Sequence, residues 1–298
     1  MVSMRQAVLK ARQKVIHSSL ASALILASGM GVALTGSASA AQDSALGATT
    51  ATAGGPATYP LIANLTLGSD VVLTGTVRKM ERLAGRDTLS APEGFSRHLM
   101  TVTVTGVLLA PRAVPGEITY VWDAADATFG KRPKLKGEPV LLFLRSVPGN
   151  DRAYQLTAQN GQILGQGAAV DMVRDVAADP IRSSGFGHRV TGVVDATRLQ
   201  RASDETFGTH FLVETASKGL MTVSVPEGSR ARTILVSLPD TPDHSTPLKR
   251  NSLPGYFLAC GLPETLPEPV LQTAAAIGDL NAVQADYKYL RETVGPCQ

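Results

Sequence analysis

The sequence predicts a mainly β protein made of two tandem five-stranded units, each followed by helix, with the longest helix at the C-terminus. Three observations predict this. Short β-branched or alternating apolar runs, separated by Gly, Pro and Asp, recur from Asp70 onward; they fall into two sets of five in the same order; and each set is followed by apolar residues at helical spacing.

The chain opens with a different kind of segment. Arg5, Lys10, Arg12 and Lys14 form a positive region, Leu20 to Leu34 is apolar and small, and Ala38-Ser39-Ala40 supplies a small-x-small cleavage site. Residues 1–40 are therefore expected to be a signal peptide. The apolar run is interrupted by Ser28, Gly29 and Gly31 and falls short of the roughly 20 residues a bilayer span needs. Once the signal is removed, no integral membrane span is expected. Its removal also takes four basic residues and no acidic ones from totals of 28 and 25, so the mature chain carries 24 basic against 25 acidic residues. The alkaline balance belongs to the precursor, and no nucleic-acid partner is expected. The following stretch, "AQDSALGATTATAGGPATYP" (41–60), has almost nothing to place in a core and reads as a flexible leader.

In the first unit the strands are "VVLTGTV" (Val71 to Val77), "LMTVTVTGVLL" (Leu99 to Leu109), "ITYVW" (Ile118 to Trp122), "VLLFL" (Val140 to Leu144) and "YQLTA" (Tyr154 to Ala158). The second of these puts Met100, Val102 and Val104 on one face and threonines on the other. In the second unit they are "RVTGVV" (Arg189 to Val194), "HFLVET" (His210 to Thr215), "LMTVSV" (Leu220 to Val225), "TILVSL" (Thr233 to Leu238) and "YFLA" (Tyr256 to Ala259). Anchor residues correspond: Gly75 with Gly192, Phe95-x-x-His98 with Phe207-x-x-His210, Gly116 with Gly219, Thr119 with Thr222, and Tyr154-x-Leu156 with Tyr256-x-Leu258. The offsets of 117, 112, 103, 103 and 102 shrink only where a loop of the second copy is shorter, as duplication followed by loop trimming would produce.

Helices are expected over Ala168 to Asp179, stopped by Pro180, over "PEPVLQTAAAI", and over "GDLNAVQADYKYLRETVG", where Leu280, Val283, Tyr287 and Leu290 share one face. Asp279 is placed to cap the last helix and Gly295-Pro296 to stop it. The two cysteines, Cys260 and Cys297, lie in the exported part, where an oxidising compartment favours one bridge. That bridge would tie the C-terminal tail to the body.

The Val-rich first strand with its Gly, the long alternating second strand and the "VLLFL" strand after a Gly-bearing turn together resemble the OB-fold of netrin-like modules, the group that includes the tissue inhibitors of metalloproteinases. The resemblance spans Asp70 to about Gly167, and more loosely Gly187 to Gln298. It implies two OB-like barrels that present loops to a partner, with a first barrel and its helix over 61–182 and a second with the C-terminal helices over 183–298. Those inhibitors act through an N-terminal Cys that chelates the protease zinc. Here the expected mature start is Ala41 with no Cys near it, so the resemblance does not carry that activity.

Signatures of chemistry are sparse. The chain has no G-x-S-x-G, no H-E-x-x-H and no G-x-x-x-x-G-K. "GKRPKLKG" reads as a solvated loop before a strand, "PDTPDH" (Pro239 to His244) as a turn, and "GFGH" (Gly185 to His188) precedes a strand where a dinucleotide fingerprint would precede a helix. No catalytic residue, metal ligand or cofactor is assigned. The expectation is a non-catalytic exported protein, periplasmic or secreted, that binds a protein, peptide or glycan through its barrel faces. The competing expectation is an exported hydrolase with a site between the barrels, drawing on His98, His210, Asp204 and Glu205. The paired Phe-x-x-His is expected to be structural, each Phe plugging a barrel end and each imidazole satisfying a loop carbonyl.

Overall fold

The computed structural model describes residues 57–84, 91–129, 133–165, 167–199, 208–227 and 232–297. The segment expected as a signal peptide (1–40) and most of the expected leader (41–56 of 41–60) lie outside the described residues, as do Asp204, Glu205 and Phe207.

The first half runs α1 (Tyr59–Leu67), β1 (Val71–Arg82), β2 (Phe95–Leu109), β3 (Glu117–Ala125), a single turn α2 (Asp126–Phe129), β4 (Pro139–Val147), β5 (Asn150–Leu156), β6 (Gln162–Leu164) and α3 (Gly167–Ala178). The strands hydrogen-bond in the order β1-β2-β3-β5-β4, and β4 pairs back onto β1 from Val71↔Leu144 to Thr76↔Pro139, closing a five-stranded barrel. Its interior holds Leu73, Val77, Met100, Val102, Tyr120, Trp122 and Leu142 among others. In β4, Val140 to Leu144 are all buried because both faces are covered: Val140, Leu142 and Leu144 face the barrel, while Leu141 and Phe143 lie under α1 and α3. Gly75 sits where β1 crowds β2. A Cβ there would stand 2.3 Å from Val102 Cγ1 and 2.8 Å from the Thr103 carbonyl oxygen.

Helix α1 was not expected. It begins at Tyr59, inside the stretch read as leader, and buries Ile62 and Leu65 completely against the outer side of the barrel.

The second half departs from the expected repeat. After a 3-10 turn (Pro180–Ser184), β7 (Val190–Leu199), β8 (Gly208–Thr215), β9 (Leu220–Pro226), β10 (Leu235–Ser237) and β11 (Ser245–Pro247) form an open five-stranded sheet in the order β11-β10-β9-β8-β7. Among the described residues the second sheet stays open and no second barrel closes, for two physical reasons. In the first half, residues 126–138 carry the chain across the barrel so that β4 meets β1; in the second, the shorter link over 227–234 delivers β10 beside β9, where it continues the meander. The run Tyr256 to Ala259, expected as the fifth strand, lies inside helix α4 (Leu253–Gly261). Ser252 caps that helix, its Oγ accepting from the Gly255 N–H at 3.2 Å, and Pro254 lies in the first turn.

Helices α5 (Glu268–Ala276) and α6 (Leu280–Val294) follow, α6 being the longest helix. With α4 they cover the apolar face of the open sheet, burying Phe211, Val213, Val223 and Leu258 with Val270, Val283 and Leu290. Asp279 stands at the start of α6 but its side chain makes no capping bond, whereas Gly295, at φ 72°, ends the helix as expected. Cys260 and Cys297 are disulfide-bonded, joining the end of α4 to the tail beyond α6. The halves meet in an apolar cluster of Tyr59, Ala63, Val176, Leu253, Tyr256 and Phe257, with the Tyr256 hydroxyl donating to Asn64 Oδ1 at 3.2 Å. Among the described residues no helix is long and apolar enough to cross a membrane.

Candidate functional site

Along β2, Ser96, His98, Met100 and Val102 are buried while Phe95, Arg97, Leu99 and Thr101 are half-exposed, so the alternation aims the first set into the barrel. Register then builds rows. Met80, Met100 and Tyr120 are cross-strand partners over β1, β2 and β3, and at the barrel mouth the next row on the same face is Arg82, His98 and Trp122.

His98 is 2% exposed, and neither ring nitrogen has a hydrogen-bond partner among the described residues. Its ring lies 6.2 Å from that of Trp122, which in turn meets Phe129 edge-on at 5.1 Å. Burial, and then the Arg82 guanidinium, push the imidazole pKa below its ordinary value against a weaker pull from Asp126 and Asp123, so the ring is neutral near pH 7. The expectation that this imidazole satisfies a loop carbonyl is overturned. Nor does Phe95 plug the barrel: it is half-exposed and on the outward side of β2, and the aromatic filling of the mouth is Trp122 with Phe129.

Polar groups surround this end. Ser96 Oγ donates to Asp126 Oδ1 at 2.6 Å, and the Asp126 N–H donates to the Gly94 carbonyl at 2.9 Å. Arg97 forks onto Asp123, with Nε and Nη2 donating to the two carboxylate oxygens at 2.7 Å each, on side chains only 15% and 17% exposed. Above lies a cavity of about 310 Å³ bordered by Arg82, Leu83, Glu93, Phe95, Ser96 and Arg97. Arg82 and Glu93 are exposed and make no ion pair with a described residue.

The other residues singled out in the sequence fall elsewhere. His210 projects from β8 in the open sheet, where its Nδ1 lies 3.0 Å from Ser224 Oγ, its register partner on β9; burial lowers its pKa. The two histidines thus sit in different sheets, and neither belongs to the cluster where the halves meet. In the basic segment, Leu135 dips into the barrel core between exposed Lys134 and Lys136. Two motifs that are far apart in sequence come together: His188 of "GFGH", 3% exposed at the side chain, has Nε2 3.3 Å from Asp240 Oδ2 of "PDTPDH". Among the described residues no group of three or more His, Cys, Asp or Glu could hold a metal ion.

Sequence reasoning missed Arg82, Ser96, Asp123 and Trp122 as neighbours of His98. The signal for Ser96 was present, since it shares the parity of His98 and Met100 in "FSRHLM". Arg82 was hidden by the register shift between Val77 and Lys79, which moves its side chain onto the inner row. Compared with known proteins, the chain matches no family model and no curated sequence.

Proposed function

We propose that this chain is an exported binding protein of the cell envelope or secreted fraction, cleaved after Ala40, whose first, OB-like barrel takes a protein, peptide or glycan partner at its mouth. The β1-β2-β3-β5-β4 closure supports the OB-like reading, and with it the likeness to netrin-like modules. The observation that carries the reading is the barrel mouth itself: a closed barrel ends beside a cavity bordered by exposed Arg82 and Glu93, neither of which makes an ion pair with a described residue. The hydrolase alternative draws no comparable support, because His98 and His210 lie in different sheets and neither belongs to the cluster where the halves meet.

The test places a photo-crosslinking side chain at Glu93, beside the cavity, and in a second protein at the exposed Lys288 of α6. Expressed in the exporting cell, the first should give a discrete adduct and the second none. Equal labelling at both positions, or none at either, would sink the proposal. N-terminal sequencing of the exported chain should begin at Ala41; recovery of Met1 would refute the cleavage.

A further inference from the structure

We infer that His98 is an acid-triggered latch of the barrel mouth: the neutral imidazole lets β1, β2, β3 and α2 seal around it, whereas the protonated ring leaves its inner row, unseats Trp122 and Phe129 and opens that end while the rest of the chain stays folded. Such a latch goes beyond the binding-protein reading and does not depend on which partner the chain takes.

Three observations carry it. The first is the seat of the ring. His98 is 2% exposed and neither nitrogen is bonded among the described residues, so a proton added there creates a buried charge with no acceptor for either N–H. The second is the set of charges that face it. From β1 comes Arg82, its register partner, a cation directly across the strand pair. From β3 comes Asp123, already forked by Arg97, and from α2 comes Asp126, already accepting from Ser96 Oγ. The segment that sends Leu135 into the core turns Lys134 and Lys136 to solvent. An imidazolium is thus repelled by Arg82 at its seat and drawn to two half-exposed carboxylates on the rim. The third is the slightness of the cover. Helix α2 is one turn with no buried residue, and it holds the mouth through the edge-on contact of Phe129 with Trp122 at 5.1 Å and through the bonds of Asp126 to Ser96 and Gly94. Opening there breaks far less than unfolding the ladders of the barrel.

The direction follows by linkage. In an opened mouth His98 is solvated and titrates near its ordinary value of about 6.5, whereas burial and Arg82 hold it lower in the sealed one. Below about pH 6.5 the open form therefore gains protons that the sealed form does not, and the open-to-sealed ratio rises by up to about tenfold per pH unit until the sealed form also protonates. His98 does not itself border the cavity. Its strand partner Arg82 does, as does Ser96 on the same face of β2, so opening the mouth reshapes the cavity wall.

The test uses the chain's single tryptophan, Trp122, which is 4% exposed and whose ring lies 6.2 Å from that of His98. Acrylamide quenching and the emission maximum are followed from about pH 8 down to about pH 4.5, with far-ultraviolet circular dichroism recorded on the same samples. Trp122 should be shielded at neutral pH; below about pH 6.5 its quenching constant should climb, by up to about tenfold per pH unit while the open fraction is small, and its emission should shift to the red, reversibly and with the dichroism unchanged. His98→Phe, and His98→Met as a second apolar filling should the first fail to fold, should keep Trp122 shielded over the same range. Arg82→Gln, which removes the opposing cation, should reduce the response, and His210→Gln in the other sheet should leave it intact. Three results would each overturn the latch: a tryptophan that stays shielded until the dichroism collapses, the same rise in quenching in the His98 variants as in wild type, or a response abolished by His210→Gln.

Discussion

Replacing Asp286 by Ala should be among the most damaging single changes in the second half. Asp286 is 6% exposed on α6 and accepts from Thr209 Oγ1 of β8 at 2.6 Å and from Arg232 Nη1. The same guanidinium lies 4.1 Å from the centre of the Tyr289 ring, and the Tyr289 hydroxyl bonds both the N–H and the carbonyl of Arg232. Helix and sheet are therefore joined by a buried carboxylate with two donors. Truncation leaves the fully buried Thr209 hydroxyl without its acceptor, about 1 kcal/mol, and a part-buried guanidinium without its counterion, about 2 kcal/mol. Arg232 keeps the Pro226 carbonyl at 3.3 Å and the aromatic ring, which holds the total to about 3 kcal/mol rather than more. In urea or thermal unfolding with the disulfide intact, Asp286→Ala should lower Tm by about 6–12 °C. The triple variant Thr209→Val, Arg232→Met, Asp286→Leu should recover most of that loss, because it leaves no stranded polar group. The reasoning is wrong if Asp286→Ala costs under about 1 kcal/mol, or if it costs as much in an Arg232→Met background as in wild type.

Cys297→Ser should reduce stability by about 4 kcal/mol, the chain-entropy value for opening a loop of this length, and peptide mapping without reductant should find Cys260 and Cys297 linked in wild type. Gly75→Ala and Gly192→Ala should behave oppositely although the two glycines correspond in sequence: the first drives a Cβ into Val102 and Thr103 and should cost more than about 2 kcal/mol, whereas the second enters open space and should be neutral within about 0.5 kcal/mol by chemical denaturation. His98 and His210 both have folded pKa values depressed by burial, so below about pH 6.5 the unfolded chain binds protons that the folded chain does not. Unfolding free energy should accordingly fall as pH drops through 6.5 toward the folded values, and should fall less in His98→Phe; a slope indifferent to that substitution would refute the assignment.

What was legible in the sequence depended on whether a local pattern had a single reading. Strand β2 alternates over its whole length, so its parity announced which side chains enter the barrel, down to Ser96 and His98. "VLLFL" is a strand buried on both faces, yet what buries its outer face, α1, comes from "YPLIANLTL", a nine-residue segment apolar on nearly every side and following a leader without core residues. "YFLA" had the same ambiguity, since four apolar residues fit either period, and the decisive sign was the Ser252-x-Pro254 start two residues before it. The lost barrel turned on the length of one connection more than on any residue in a strand. The mouth was the least legible part. That His98 faces inward could be read; that nothing bonds it, and that a register shift sets Arg82 above it, are products of three-dimensional pairing.

The two ways of ending a five-stranded unit also set how quickly each half is assembled. In the open sheet every strand pairs with its neighbour in the chain, so contacts form over short loops. The barrel cannot close until residues as distant as Val71 and Leu144 meet, and folding slows as such separations grow. The meander should therefore form first and barrel closure should be the slow phase. The single tryptophan, Trp122, lies inside the barrel and reports that phase directly by fluorescence, while far-ultraviolet circular dichroism, dominated by the rest of the chain, should recover earlier. Coincident recovery of the two signals would show instead that the halves fold as one unit.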